Sequence, residues 1–184
     1  MKDKTWKTGV RKPIAAADRV VVVGAGNRDK GDDGAGIAAA ESLRKRLSPA
    51  QKRRVRVLLG GPAPENLTGK IRTLAPDLVV ILDAALGGRR PGAVFRADPA
   101  RISDDSVTTH AISLRWLARY IEESIGCPTV ILGIQPKSME TGSDLTREVE
   151  KGISSAVDFL VENLAVSRGR PGGARPRRLK SSSA

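Results

Sequence analysis

Val20-Val21-Val22-Val23-Gly24-Ala25-Gly26-Asn27-Arg28-Asp29-Lys30-Gly31-Asp32-Asp33-Gly34-Ala35-Gly36 is the stretch on which the fold turns. Four β-branched residues without a polar interruption predict a strand covered on both faces, because a strand with one wet face alternates apolar and polar positions. Gly24 ends the run. A helix is then expected from about Gly34 to Leu47, with Ile37, Ala40, Leu43 and Leu47 near one face and Pro49 closing it. A buried strand leading straight into an amphipathic helix is the first half of a βαβ unit, and it implies a parallel sheet.

Further along, the same alternation returns. Val55-Arg56-Val57-Leu58-Leu59 predicts a second strand, Gly60-Gly61-Pro62 breaks the chain, and a short helix runs from Pro64 to about Leu74 with proline in a permitted first-turn position. Leu78 to Leu82 is a third strand that delivers Asp83, and Ala93-Val94-Phe95 an additional one after the turn Gly87-Gly88-Arg89-Arg90-Pro91-Gly92. Leu114, Leu117, Ala118 and Ile121 keep helical spacing directly after His110, and Thr129-Val130-Ile131-Leu132 predicts a fifth strand. The last helix carries Val149, Ile153, Ala156, Val157, Leu160 and Leu164 on one stripe, with Thr146 at its cap and Glu148 and Glu150 near its positive end. The expected fold class is therefore α/β, a three-layer α/β/α sandwich around a mostly parallel five-stranded sheet.

The chain has 184 residues and a net charge of +12, a value that invites a nucleic-acid reading until its distribution is considered. Residues 1–18 carry five basic against two acidic side chains, and residues 167–184 carry six basic ones, which leaves only +3 on the body between them. We therefore expect a basic N-terminal extension over 1–18, a single domain over 19–166, and a basic disordered tail over 167–184, too poor in apolar residues to offset its ordering entropy. Aromatic residues make up 3% of the chain, which argues against base-stacking platforms and against a nucleic-acid partner. No apolar run approaches the roughly 20 residues that span a bilayer, and the first residues lack an apolar signal segment, so no membrane insertion is expected and the expected location is the cytoplasm. The single cysteine, Cys127, excludes an internal disulfide and a cysteine-rich zinc cluster. Its Gly126-Cys127-Pro128 setting suits a small apolar residue better than a nucleophile.

Three side chains carry the chemistry. Asp33, Asp83 and His110, the only histidine, each lie just after an expected strand or just before an expected helix, so all three reach the carboxyl edge of the sheet, where such folds bind ligands. Two carboxylates and an imidazole suit a cation or an acid/base site, and two clustered carboxylates repel one another unless a cation or a shared proton relieves them. Asp32 is expected to point away from Asp33 and to matter less. Gly24-Ala25-Gly26-Asn27 is a weak match to a dinucleotide fingerprint, because the third glycine is replaced by Asp29 and the Asp32-Asp33 pair would repel a phosphate. A tight strand-to-helix turn accounts for it.

The ordered motifs resemble those of the hydrogenase maturation endopeptidases. The carrying residues are Gly24-x-Gly26-Asn27, Gly31-Asp32-Asp33-Gly34-Ala35-Gly36, Gly61-x-x-Pro64-Glu65-Asn66, Leu82-Asp83-Ala84, Thr108-Thr109-His110, Leu132-Gly133-Ile134-Gln135-Pro136 and Leu145-Thr146-x-Glu148-Val149, spread over roughly residues 19–165. The Thr-Thr-His and Gly-Ile-Gln-Pro elements look most like the branch serving membrane-bound, energy-converting or formate-linked hydrogenases. One departure is the charged Arg28-Asp29-Lys30 loop, where the family commonly has apolar residues.

The resemblance implies an aspartic-type endopeptidase that removes the C-terminal extension of the nickel-iron hydrogenase large-subunit precursor after nickel insertion. Asp33, Asp83 and His110 would be both its catalytic and its metal-contacting residues. Nickel arrives with the precursor, other divalent metals could occupy the site of the isolated protein, and a monomer is expected. Hydrolytic water could be activated by the metal or by a carboxylate acting as general base. The alternatives are a non-catalytic metal-binding assembly factor and a nucleotide-binding α/β module.

Overall fold

The structure, a computed structural model, describes residues 5–98 and 111–165. Among these, helix α1 spans Thr5–Ala16, strand β1 Val20–Ala25, α2 Ala35–Arg46, α3 Pro49–Arg54, β2 Val55–Gly61, α4 Thr68–Leu74, β3 Leu78–Ala84, β4 Val94–Ala97, α5 Ala111–Tyr120, β5 Thr129–Ile134 and α6 Arg147–Asn163. The sheet order is β2-β1-β3-β5-β4. Every pairing is parallel except that of the edge strand β4, which runs antiparallel to β5. The expected three-layer α/β/α architecture and its five strands are all present.

Strand alternation divides the core in two. Val20, Val22, Val80, Leu82, Val130 and Leu132 face a cluster built with α1, α2 and α6, whereas Val21, Val23, Val79, Ile81 and Ile131 face one built with α4 and α5. Both faces of the central strands are dry, which is why their sequences read as continuous apolar runs.

Two helices lay hidden from the sequence pattern. Trp6, Val10 and Ile14, at a helical spacing, bury one stripe of α1 in the first cluster, and the Trp6 ring meets Phe159 of α6 edge-on at 4.9 Å. Residues 5–16 therefore belong to the packed body, which corrects the expectation of an extension that stops short of residue 19. Their many cations and the internal Pro13 masked the stripe. Helix α3 has no apolar stripe and is set by its start: Ser48 accepts from Gln51 N at 3.3 Å while the Gln51 side chain accepts from Ser48 N at 2.9 Å, a reciprocal capping box with Pro49 in the first turn. Arg54 at its end donates to the carbonyls of Ile14 and Ala17, closing the carboxyl end of α1. The expected basic tail, 167–184, lies outside the described residues.

From β1 the chain passes to β2 through α2 on one side of the sheet, then returns to β3 through α4 on the other. From β1 the chain moves to β2 at one end of the sheet, whereas from β3 it moves on to β4 and β5 at the other, so the strand order reverses between the neighbours β1 and β3. Such a reversal opens a crevice at the carboxyl ends of the two strands.

Candidate active site at the carboxyl edge of the sheet

The crevice depends on how closely α2 approaches the sheet. A Cβ at Gly36 would overlap the Leu82 and Ala25 carbonyl oxygens, and one at Gly24 would lie 2.6 Å from the Ala40 Cβ. Glycines at this crossing let α2 rest on β1 and β3, so the single 3-10 turn before it, Gly31–Gly34, sits over their ends. Gly26, at φ +121, makes room for the Asp33 carbonyl, where any side chain would collide.

Asp33 enters from this turn. Its side chain is almost fully buried and accepts a hydrogen bond from Asn27 N at 3.0 Å. Asp83 enters from the penultimate position of β3, directly after Leu82, and is equally buried. By strand alternation it projects to the same side as Val79 and Ile81, the side of α5. Two carboxylates thus reach one edge from separate elements. His110 lies outside the described residues, immediately before α5, so the described structure brings together two of the three expected positions. Among the described residues no three His, Cys, Asp or Glu side chains group as a metal site.

Asp32 is the residue the sequence reading undervalued. In a 3-10 turn successive side chains diverge by about 120°, so Asp32 does point away from Asp33, but it points into protein. Its carboxylate accepts from Lys137 N at 2.8 Å, Ser138 N at 3.0 Å, Thr146 N at 2.7 Å and Thr146 Oγ1 at 3.0 Å, while its own backbone N donates to Ser138 O at 3.0 Å. One buried carboxylate therefore ties the Gly31–Gly34 turn to the loop after β5 and to the start of α6. Thr146 occupies the expected cap position, yet its hydroxyl serves Asp32 rather than the helix. The signal was available in the sequence only as an acidic pair beside glycines. Its partners lie more than a hundred positions away.

Gln135 organises the loop that follows Asp83. Buried at the end of β5, its Oε1 accepts from Gly87 N at 2.8 Å and Arg89 N at 3.1 Å, and its backbone joins Gly92 and Ala93. The Gly133-Ile134-Gln135-Pro136 motif is thus a clamp on the crevice wall. Arg28 of the charged loop pairs with Glu41 on α2, and the guanidinium holds the Glu41 carboxyl below the usual carboxylate range. That pairing turns Arg28 back onto the helix. Cys127 lies before β5, at the opposite edge of the sheet, where burial pushes its thiol up to about 12. A thiolate nucleophile has no place in this crevice.

A family model described as hydrogenase maturation protease matches residues 37–163. This chain belongs to the hydrogenase maturation protease family. It is 34% identical over 141 residues to the hydrogenase 3 maturation protease of Escherichia coli K12, a match that covers 76% of this chain and 87% of that protein. The crystal structure of the NiFe hydrogenase maturation protease HycI from Thermococcus kodakarensis superimposes with a TM-score of 0.75 at 32% identity, covering 85% of this chain and 98% of the other. The solution structure of the endopeptidase HycI from Escherichia coli gives 0.69 at 32% identity over 78% and 90% of the two chains. The protein is accordingly an endopeptidase of hydrogenase maturation, and no helix among its described residues is long and apolar enough to cross a membrane.

Proposed function

We propose that this protease removes the C-terminal extension of a nickel-iron hydrogenase large-subunit precursor once nickel has been inserted, and that Asp33, Asp83 and His110 complete the coordination of the substrate-borne nickel. The observation that carries the assignment is the arrival of two buried carboxylates, from the turn after β1 and from the end of β3, at the crevice where the strand order reverses. An oxygen-rich pair with an imidazole is a donor set of the right hardness for a divalent cation, and donors left open to the substrate let the precursor supply the rest. The Thr108-Thr109-His110 and Gly133-Ile134-Gln135-Pro136 elements, with the similarity to a hydrogenase 3 maturation protease, support a substrate from the membrane-bound or formate-linked branch. The single cysteine supports a reducing compartment, the cytoplasm, and the protein is proposed to act as a monomer.

Incubation with a purified nickel-loaded large-subunit precursor, followed by intact-mass analysis, tests the reading. A mass loss equal to one C-terminal peptide, absent when the precursor lacks nickel, is the expected result. Tight binding without any shortening would turn the assignment toward a non-catalytic assembly factor. Equal cleavage of nickel-free precursor would remove nickel from the recognition step.

A further inference from the structure

We propose that Glu65 contacts the substrate, its buried carboxylate oxygen accepting a hydrogen bond from the precursor segment that the protease cuts. The inference rests on the reading of the preceding subsection and adds a binding residue to it. Gly61, at φ +60, ends β2 and accepts a hydrogen bond from Gly26 N at 3.0 Å, which links the β2 exit to the glycine turn that cradles Asp33. The chain then bends at Pro62 and Pro64 into a single 3-10 turn, Pro64–Leu67. Pro64 is buried on Gly60, where a Cβ would meet the Pro64 Cβ at 2.8 Å and the Gly24 carbonyl oxygen at 3.4 Å. This turn is therefore laid over the carboxyl end of β1.

Its position places Glu65 on a particular side. Leu67 packs against the cluster that contains Ile71, Leu114 and Leu117, and the turn touches α5, so it lies on the α5 side of the edge. Asp83 projects to that same side from β3, the strand next to β1. Glu65 is half-buried, so part of the residue remains accessible at this edge. Its Oε2 is nevertheless buried and has no hydrogen-bond partner among the described residues. The contrast with Asp32, whose oxygens receive four donors, is sharp.

A buried carboxylate oxygen without a donor is costly, and native structures keep few of them. The arrangement makes sense if the donor arrives with the substrate. An extended peptide supplies such donors in two forms, backbone N–H groups and basic side chains, and both offer the same chemistry to a carboxylate.

Glu65→Ala and Glu65→Gln should be compared with the wild-type full chain for cleavage of the nickel-loaded precursor, for direct binding of that precursor by interferometry, and for thermal stability. The Ala variant should raise KM and the precursor Kd about tenfold, leave kcat within about twofold, and melt no lower than wild type, since an acceptor that lacks a donor has been removed. A Gln variant that keeps most of the affinity assigns the donor to a backbone N–H, and one that loses as much as Ala assigns it to a basic side chain. Unchanged KM and Kd in Glu65→Ala would overturn the proposal, as would a lowered Tm accompanied by wild-type affinity. If the wild-type chain binds the precursor without cutting it, the protease reading fails while the Kd comparison still decides Glu65. If the wild-type chain does not bind at all, both fall.

Discussion

The two edges of one parallel sheet differ in almost every respect. At the carboxyl edge the chain places glycines, turns and buried carboxylates: Gly24, Gly26 and Gly36 allow close backbone approach, and Asp32, Asp33 and Asp83 are nearly or fully inaccessible. At the amino edge Cys127 is packed in the apolar core, and exposed carboxylates hold strand starts from the surface: Asp77 accepts from Arg19 N at 2.8 Å and Glu122 from Thr129 N at 3.3 Å. The difference follows from direction. All strand ends of one polarity collect at one edge in a parallel sheet, and strand-to-helix loops there are free to vary without disturbing the core.

The largest expected effect falls on the two carboxylates assigned to chemistry. Asp33→Asn and Asp83→Asn should each lower precursor cleavage by at least about a hundredfold, equivalent to about 2.7 kcal/mol of transition-state stabilisation. Neither should lower Tm, because two carboxylates brought to one edge oppose each other until a cation arrives. Wild-type rates in both variants would show that the buried pair has only a structural use, and the contrast between the edges would lose its functional meaning.

Asp32→Asn should separate architecture from chemistry within the same edge. An amide nitrogen cannot accept the bonds that Asp32 now receives, and hydrogen bonds to a charged group are worth about 1.5–3 kcal/mol each. A stability loss of about 2–4 kcal/mol in denaturant unfolding is expected, with cleavage reduced because the 137–146 loop and the start of α6 are no longer tied to the turn that carries Asp33. Unaltered stability would mean that the loop is held by other contacts.

The smallest effect is expected at the opposite edge. Cys127→Ala should keep the wild-type cleavage rate, and alkylating reagents should label the wild-type thiol only on unfolding. Since burial raises this thiol to about 12, the stability it lends is complete below the unfolded thiol value of about 8.5 and is lost as pH rises toward 12. In the Ala variant the unfolding free energy should therefore fall less between pH 8 and pH 10 than it does in wild type. Rapid labelling of the folded protein at pH 8 would contradict the burial.

All five strands were legible in the sequence because each is short, apolar and bounded by glycine, proline or a charge. The arrival of Asp33 and Asp83 at one edge was legible too, since both lie at strand and helix ends where no packing demand requires a carboxylate. Helix α1 escaped because its stripe of Trp6, Val10 and Ile14 is interrupted by cations, and α3 because six residues with a capping box carry no periodicity. Hydrogen bonding between distant segments left no local trace. Nothing near Asp32 announces Lys137, Ser138 or Thr146, and nothing near Gln135 announces Gly87 and Arg89.

By itself, then, the sequence determined the α/β class, the strand set and the family, since those depend on local periodicity and on ordered motifs. Tertiary structure alone decided that Asp32 is an anchor for the loop after β5, that residues 5–16 are core, and that Glu65 keeps a buried oxygen without a donor among the described residues. The physical reason is that burial and hydrogen-bond saturation are properties of the whole packed chain. A carboxylate acquires its role from the donors that folding brings to it.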